Sequence, residues 1–457
     1  MKSDESFERD LRASLLASAT EQAPDGLAAR ISEIPARQPL PDAGRGGLHL
    51  AVRAAVNLAA AAVVVIAVAA LIVTRNGNLP PGGPAAGSGS LPTASAQTPT
   101  PAASAAPSAA SPVPSATSAA PTTVLGLSPV SVTFGSATDG WVLGTGTCPS
   151  GPCAAIVRTT DGGGTWTTVP APAASVVPGS GQGGAPGISR LRFADARNGW
   201  AYGPDLWATH DGGVTWARLT IAGVTAGSTV VALEAGNGSV HAAVADGQGY
   251  RVASSSVGTD DFRLSAVRVP VGAGPVPAVQ LVLSGAAGWL LENDRTVVGG
   301  ARLVNGAWVA WQPPCLNVVG PAYLAASSST ELAAACDVGL WSSPTGSHLF
   351  VSHDGGSSFV EAASAVPLTM TAAIAAASPS VAVVGGTDAT GAALVATFDA
   401  GRTWSVVARL GTADLADLGF TTPTQGVVVT TSADKPATLM MTRDGGRTWR
   451  AVGAAGG

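Results

Sequence analysis

Lysine is nearly missing from this chain of 457 residues: Lys2 and Lys435 are the only two, and arginine supplies the other 22 of the 24 basic side chains. Charge of either sign is scarce, at 12% of residues. Residues 1–53 carry seven basic and eight acidic side chains, Arg75 stands alone, and residues 124–457 carry 16 basic and 21 acidic ones. No segment presents a basic surface, which argues against a nucleic-acid partner. Aromatic residues make up 5%, with tyrosine confined to Tyr202, Tyr250 and Tyr323. The five histidines and four cysteines show no metal-ligand spacing. Residues 1–53 hold no cysteine and a single histidine, His49, which excludes a His/Cys zinc motif there. The glycines mark no strand-to-helix phosphate loop, so no cofactor is implied. What the chain has in quantity is glycine (58) and proline (33), which favour turns and strands over long soluble helices.

One long uncharged run interrupts the chain. Between Arg53 and Arg75 lie 21 residues, AAVNLAAAAVVVIAVAALIVT, in which Asn57 is the one conspicuously polar side chain. A helix over this run is about 31 Å long, matching a hydrocarbon core of about 30 Å. It is too long and too far from the N-terminus for a cleaved signal peptide. Arg30, Arg37, Arg45 and Arg53 precede it, whereas only Arg75 follows before Arg158, and this asymmetry places the N-terminus in the cytoplasm. The expectation is a single-pass plasma-membrane protein: a cytoplasmic tail over 1–53, a transmembrane helix in the lipid bilayer over 54–74, and the remainder extracytoplasmic. In the tail, Phe7, Leu11 and Leu15 recur every four residues and suggest one short amphipathic helix, either a docking element or a loosely ordered juxtamembrane segment. Residues 75–123 read as a disordered linker. From Asn76 to Thr123 the composition is Pro, Ala, Ser, Thr and Gly with no charge and no aromatic, which cannot bury a core and reaches roughly 150 Å at most.

The rest of the chain repeats itself. TTDGGGTWTTV from Thr159, THDGGVTWARL from Thr209, SHDGGSSFVEA from Ser352, TFDAGRTWSVV from Thr397 and TRDGGRTWRAV from Thr442 share one pattern, Ser/Thr-x-Asp-x-Gly-x-Thr/Ser-aromatic. Their acids are Asp161, Asp211, Asp354, Asp399 and Asp444; their aromatics are Trp166, Trp216, Phe359, Trp404 and Trp449. Degenerate copies at Phe262 and Trp308 complete a series of seven aromatics spaced by 50, 46, 46, 51, 45 and 45 residues, the length of a four-stranded propeller blade. Upstream of the turns a strand, tight Gly turn, strand element recurs, as in VTFGSATDGWVLG from Val132 and LRFADARNGWAYG from Leu191. The pattern implies an all-β, seven-bladed β-propeller over 124–457, monomeric because a closed ring leaves few unprotected edges. The Asp accepts N–H bonds inside its turn, the glycines supply positive φ, and the aromatic packs between sheets.

This constellation resembles the BNR/Asp-box repeat of sialidases, sortilin-like receptors and the YCF48/HCF136-type photosystem II assembly factors, over residues 128–452. The resemblance implies that the five Asp residues are structural, with an exposed calcium or partner contact as the alternative. Sialidases also need an arginine trio, a Tyr nucleophile paired with Glu, and a Phe/Tyr-Arg-Ile-Pro segment near the first blade, yet no arginine lies between Arg75 and Arg158. No catalytic residue is therefore nominated, and His210 and His353, beside the turn acids, are expected to be solvent-facing. The expected function is a non-catalytic binding or assembly scaffold for an envelope protein or glycan; the alternative is an exported glycan-processing hydrolase of sialidase-like fold. In a meandering blade, Cys148 and Cys153 share the loop between the second and third strands of blade one, while Cys315 and Cys336 belong to the entry and second strand of blade five. A bridge across the ring exceeds the Cα limit of about 7 Å, so the expected pairs are Cys148–Cys153 and Cys315–Cys336, with free thiols as the alternative. The same face carries the Gly/Pro-rich connection from Pro170 to Gly187 and is nominated as the binding surface.

Overall fold

A computed structural model describes residues 125–149, 151–177, 185–271, 279–292, 296–316, 318–340, 343–432 and 436–453. The expected tail, transmembrane helix and linker lie outside the described residues; among those described, no helix is long and apolar enough to cross a membrane. The described residues form 28 strands in seven four-stranded antiparallel sheets that follow chain order. These are β1–β4 over 125–169, β5–β8 over 190–219, β9–β12 over 229–264, β13–β16 over 279–311, β17–β20 over 322–361, β21–β24 over 370–411 and β25–β28 over 414–452. The fold is a seven-bladed β-propeller, and the first strand of each blade is its inner edge.

Middle strands are covered by a neighbouring blade on each side, so they read as unbroken apolar runs rather than alternating ones. In β2 (Gly140–Cys148), Trp141 and Leu143 pack into the seam with blade 2, while Val142 between them packs into the seam with blade 7. The core is accordingly divided into seven apolar clusters, one per seam. Gly-Trp pairs open the second strands because Gly140 and Gly199 lie beneath the rings of Phe134 and Phe193, where an added Cβ would come within 2.5 Å of the ring.

Among the described residues, no blade borrows a strand from the other end of the chain. Instead, the ring closes by packing of β1 (Leu125–Phe134) on β25 (Asp414–Phe420) and β26 (Gly426–Thr431). Phe262 and Trp308 are buried at the expected aromatic positions, but their turns differ from the repeat. In blade 4, Asn305 (φ 49°) and Gly306 (φ 78°) make a two-residue hairpin between β15 (Gly300–Val304) and β16 (Ala307–Trp311).

Candidate functional site

Meandering blades give the disc two faces. The turns between first and second strands and between third and fourth strands form a turn face; the remaining turns and the blade-to-blade connections form a loop face. All five Asp turns lie on the turn face and share one geometry. The hydroxyl two residues before the acid donates to Oδ1 at 2.7–2.9 Å, in Thr159, Thr209, Ser352, Thr397 and Thr442. The residue four positions after it donates its N–H to Oδ1 at 2.8–2.9 Å and its hydroxyl to Oδ2 at 2.6–2.8 Å. Those bonds favour the charged carboxylate: the Thr403 hydroxyl and N–H hold Asp399 at about 2, and the Thr165 N–H holds Asp161 lower still. Each carboxylate is committed to its own turn. Trp166, Trp216 and Trp449 are buried and Phe359 and Trp404 half-buried, and Trp216 and Trp404 donate their indole N–H to Pro170 and Ser364 at the end of the preceding blade.

Further turn-face bonds were not foreseen. The Gly-Trp tryptophans Trp141 and Trp289 donate to the carbonyls of Gly212 and Gly355, each in the Asp turn of the next blade, at 3.1 Å. Trp200 donates to Asp260 of blade 3 at 3.3 Å. His353 is exposed, as expected, whereas His210 is half-buried. His353 bonds Glu331 within its blade, and His210 contacts Asn198 and, across the seam, Asp260. The signal available in sequence was the Gly-Trp dipeptide itself, which marks a buried indole needing an acceptor.

On the loop face the cysteines pair as expected, Cys148–Cys153 with Cα atoms 5.9 Å apart and Cys315–Cys336 at 6.2 Å. Among the described residues, three blades repeat a device there. An Asp at the turn between second and third strands pairs with an Arg from the fourth strand or just beyond: Asp205–Arg218, Asp246–Arg268 and Asp388–Arg409. In each pair the carboxylate is the more buried partner and the guanidinium faces solvent. The second of these pairs borders a cleft of about 90 Å³ at the entry to blade 3. Val224, Val244 and Leu264 supply apolar lining; Asp246, Arg251 and Arg268 supply charge. Arg251 turns its Nε and one Nη onto the Ser265 carbonyl and has no ion-pair partner among the described residues. Two guanidiniums against one carboxylate leave the cleft one positive charge. The nominated Pro170–Gly187 connection shares the loop face; its described part pairs Val176 with Ile188 and does not line the cleft.

A second polar cluster joins the inner strands. Arg192 of β5 (Arg190–Phe193) bridges Glu234 of blade 3 at 2.8 Å and Asp417 of blade 7 at 3.3 Å. Asp417 also accepts the Ser131 hydroxyl and the Val132 N–H of blade 1. Burial raises both carboxyls, but the Arg192 and Arg190 charges overcome it at Asp417, which falls below the usual range, whereas Glu234 stays above it. Among the described residues no group of three or more His, Cys, Asp or Glu could hold a metal ion.

No family model matches the chain, and no curated protein does. Among solved structures, YCF48 bound to D1 peptide is similar at 17% identity and TM-score 0.47, covering 72% of this chain and 96% of that one. The β-propeller domain of the Trilobed protease from Pyrococcus furiosus follows at 7% and 0.46, covering 72% and 96%. The GH74 enzyme of Niastella koreensis stands at 14% and 0.35, covering 71% and 65%. The likeness is one of fold. At these identities it assigns no activity to this chain.

Proposed function

We propose that this protein is a membrane-anchored, extracytoplasmic propeller that binds an envelope protein or glycan on its loop face without turning it over. Anchoring rests on the uncharged run 54–74 and on the arginine asymmetry about it. The observation that carries the binding reading is the contrast between the faces. Turn-face acids are bonded into their turns and most turn-face indoles into turns or seams, whereas the loop face presents a cleft with an apolar lining, an unmatched charge and a guanidinium held in place from behind. A pre-positioned Arg beside apolar surface is the composition of an interface anchor. The test is to screen purified full-length protein in detergent against envelope extracts and glycans, with Arg251→Ala and Arg268→Ala in parallel. Retention of a discrete component by the parent and its loss in both variants is the expected result. Retention unchanged in both variants overturns the assignment of the cleft.

A hydrolase reading draws on one observation, the inner-strand carboxyls Glu234 and Asp417, whose proton affinities are driven apart as an acid–base pair requires. Both, however, bond Arg192, which fits a structural clasp better. Hydrolysis of a bacterial polysaccharide by the protein, abolished in Glu234→Gln, would establish that reading instead.

A further inference from the structure

The residue before the turn acid in blade 2 is His210, and its two ring nitrogens face two acceptors. Nδ1 lies 2.8 Å from Oδ1 of Asn198 and Nε2 lies 2.8 Å from Oδ2 of Asp260. The Asn198 amide cannot be reversed without loss, because its Nδ2 donates to both oxygens of Asp195, at 3.1 and 2.9 Å. A neutral imidazole has one N–H, so it makes only one of these bonds; the imidazolium makes both. The two partners stand on different blades, Asn198 on the first turn of blade 2 and Asp260 on the third-to-fourth-strand turn of blade 3.

Blade 3, like blade 4, departs from the repeat. Val257 stands where the five Asp turns carry their acid, and Ser255, in the hydroxyl position, closes onto Thr259 at 3.1 Å. Asp260, held at φ 55°, is thereby free to turn its carboxylate back toward blade 2, where it takes both the Trp200 indole N–H and the His210 ring. At the equivalent place blades 1 and 4 use a backbone carbonyl of the next turn, which no proton can alter. We propose that His210 is a proton-operated latch between blades 2 and 3, fully closed only while the imidazole carries both protons.

Neighbouring charges favour the closed form. Asp195 comes from the first turn of blade 2, Asp211 from the histidine's own turn and Asp260 from blade 3, and the Asp260 bond is the largest influence raising the histidine above its ordinary value. Burial opposes it; of the nearby cations, Arg197 lies on the first turn, and Arg158 of blade 1, which reaches Gly212, is paired with Asp139. On the blade 3 turn, Arg263 is paired with Asp261. Because the folded-state value is raised, the latch contributes below the ordinary histidine range and is lost as pH rises through the raised value.

The test is amide hydrogen exchange of the full-length protein in detergent, corrected for the intrinsic pH dependence of exchange, between about pH 5 and about pH 9. Peptides covering 195–211 and 257–264 are expected to hold constant protection on the acid side and then to lose it, by at most about tenfold per pH unit, as one-proton linkage requires. In His210→Gln the profile is expected to be flat, and in Asp260→Asn, where His210 still titrates beside Asp195 and Asp211, shallower than in the parent. Nitrogen NMR of labelled histidine, with the His210 signal assigned by the same variant, is expected to show both ring nitrogens protonated at about pH 6. A flat parental profile, an equal slope in both variants, or a neutral His210 at that pH overturns the latch.

Discussion

At His241, in blade 3, the indole N–H of Trp308 points at Nδ1 from the neighbouring blade, at 3.3 Å, and the Ser254 hydroxyl lies 2.7 Å from the same nitrogen. Nε2 lies 3.1 Å from the Ser239 hydroxyl. The ring is buried, and burial holds it down to about 4, against an ordinary value of 6.5. Above pH 6.5 both folded and unfolded chains are neutral there, and the packing contributes in full. As pH falls from about 6.5 to about 4 the unfolded chain binds the proton first, at a cost approaching about 3 kcal/mol. We expect urea unfolding at pH 7 and at pH 4.5 to show a smaller acid loss in His241→Gln than in the parent, by roughly 2 kcal/mol. Asp337 runs the other way. It is buried, its Oδ2 accepts the Thr371 N–H at 2.8 Å, its Oδ1 has no partner, and burial raises its pKa. The protonated form is the favoured one, so its contribution is lost as pH rises. Asp337→Asn is expected to be more stable than the parent at pH 7 and no better at pH 3, read from denaturant midpoints.

Between neighbouring elements the seams combine a buried ring with one directed bond. Trp289 is 1% exposed and donates to Gly355 of the next blade. Trp289→Phe keeps most of the ring and removes the bond, for about 1 kcal/mol, whereas Trp289→Ala removes both, for about 3–5 kcal/mol. A ratio near one between the two, in denaturant unfolding, would mean that the bond and not the ring holds the seam. The disulfides act on loops of different length, with sequence separations of 5 and 21. On the chain-entropy account, removing Cys148–Cys153 costs roughly 2 kcal/mol and removing Cys315–Cys336 roughly 3 kcal/mol, which paired Cys→Ser variants can rank.

For the whole molecule the question is how a ring with no strand exchange among its described residues stays shut. Blade 7 meets blade 1 through an apolar seam of Val132, Val142, Trp166, Val427 and Met441, like the other six. What the closing region adds is the Arg192 clasp, which ties blade 2 to blades 3 and 7 while Asp417 holds blade 1. The clasp side chains are 12–27% exposed. Removal of its cation is therefore expected to cost about 2 kcal/mol, below the 3–5 of a fully buried pair. Arg192→Met should show that loss, and Arg192→Met/Glu234→Gln/Asp417→Asn should recover most of it, because no carboxylate is then left unpaired. Protease added to spheroplasts tests the proposed topology: a released fragment of propeller size is expected, and full protection would reverse the orientation.

The sequence alone determined the periodic part of this protein. A blade must bury an aromatic once per unit and turn at fixed offsets, so Trp166, Trp216, Phe359, Trp404 and Trp449, with Phe262 and Trp308 between them, disclose seven blades. Strand order in a meander then fixes which turns share a face, and the separation of blades 1 and 5 across the ring fixes the cysteine pairing. Tertiary structure alone decided contacts that join different repeats. Nothing local to His210 shows that Asp260 will face it, because that contact depends on the angle between two blades and on Val257 having replaced a turn acid. The same holds for Arg192, whose partners lie 42 and 225 residues away. Arg251 likewise became distinctive only when its neighbours were in place, since a charge is unmatched only in relation to the groups folded around it.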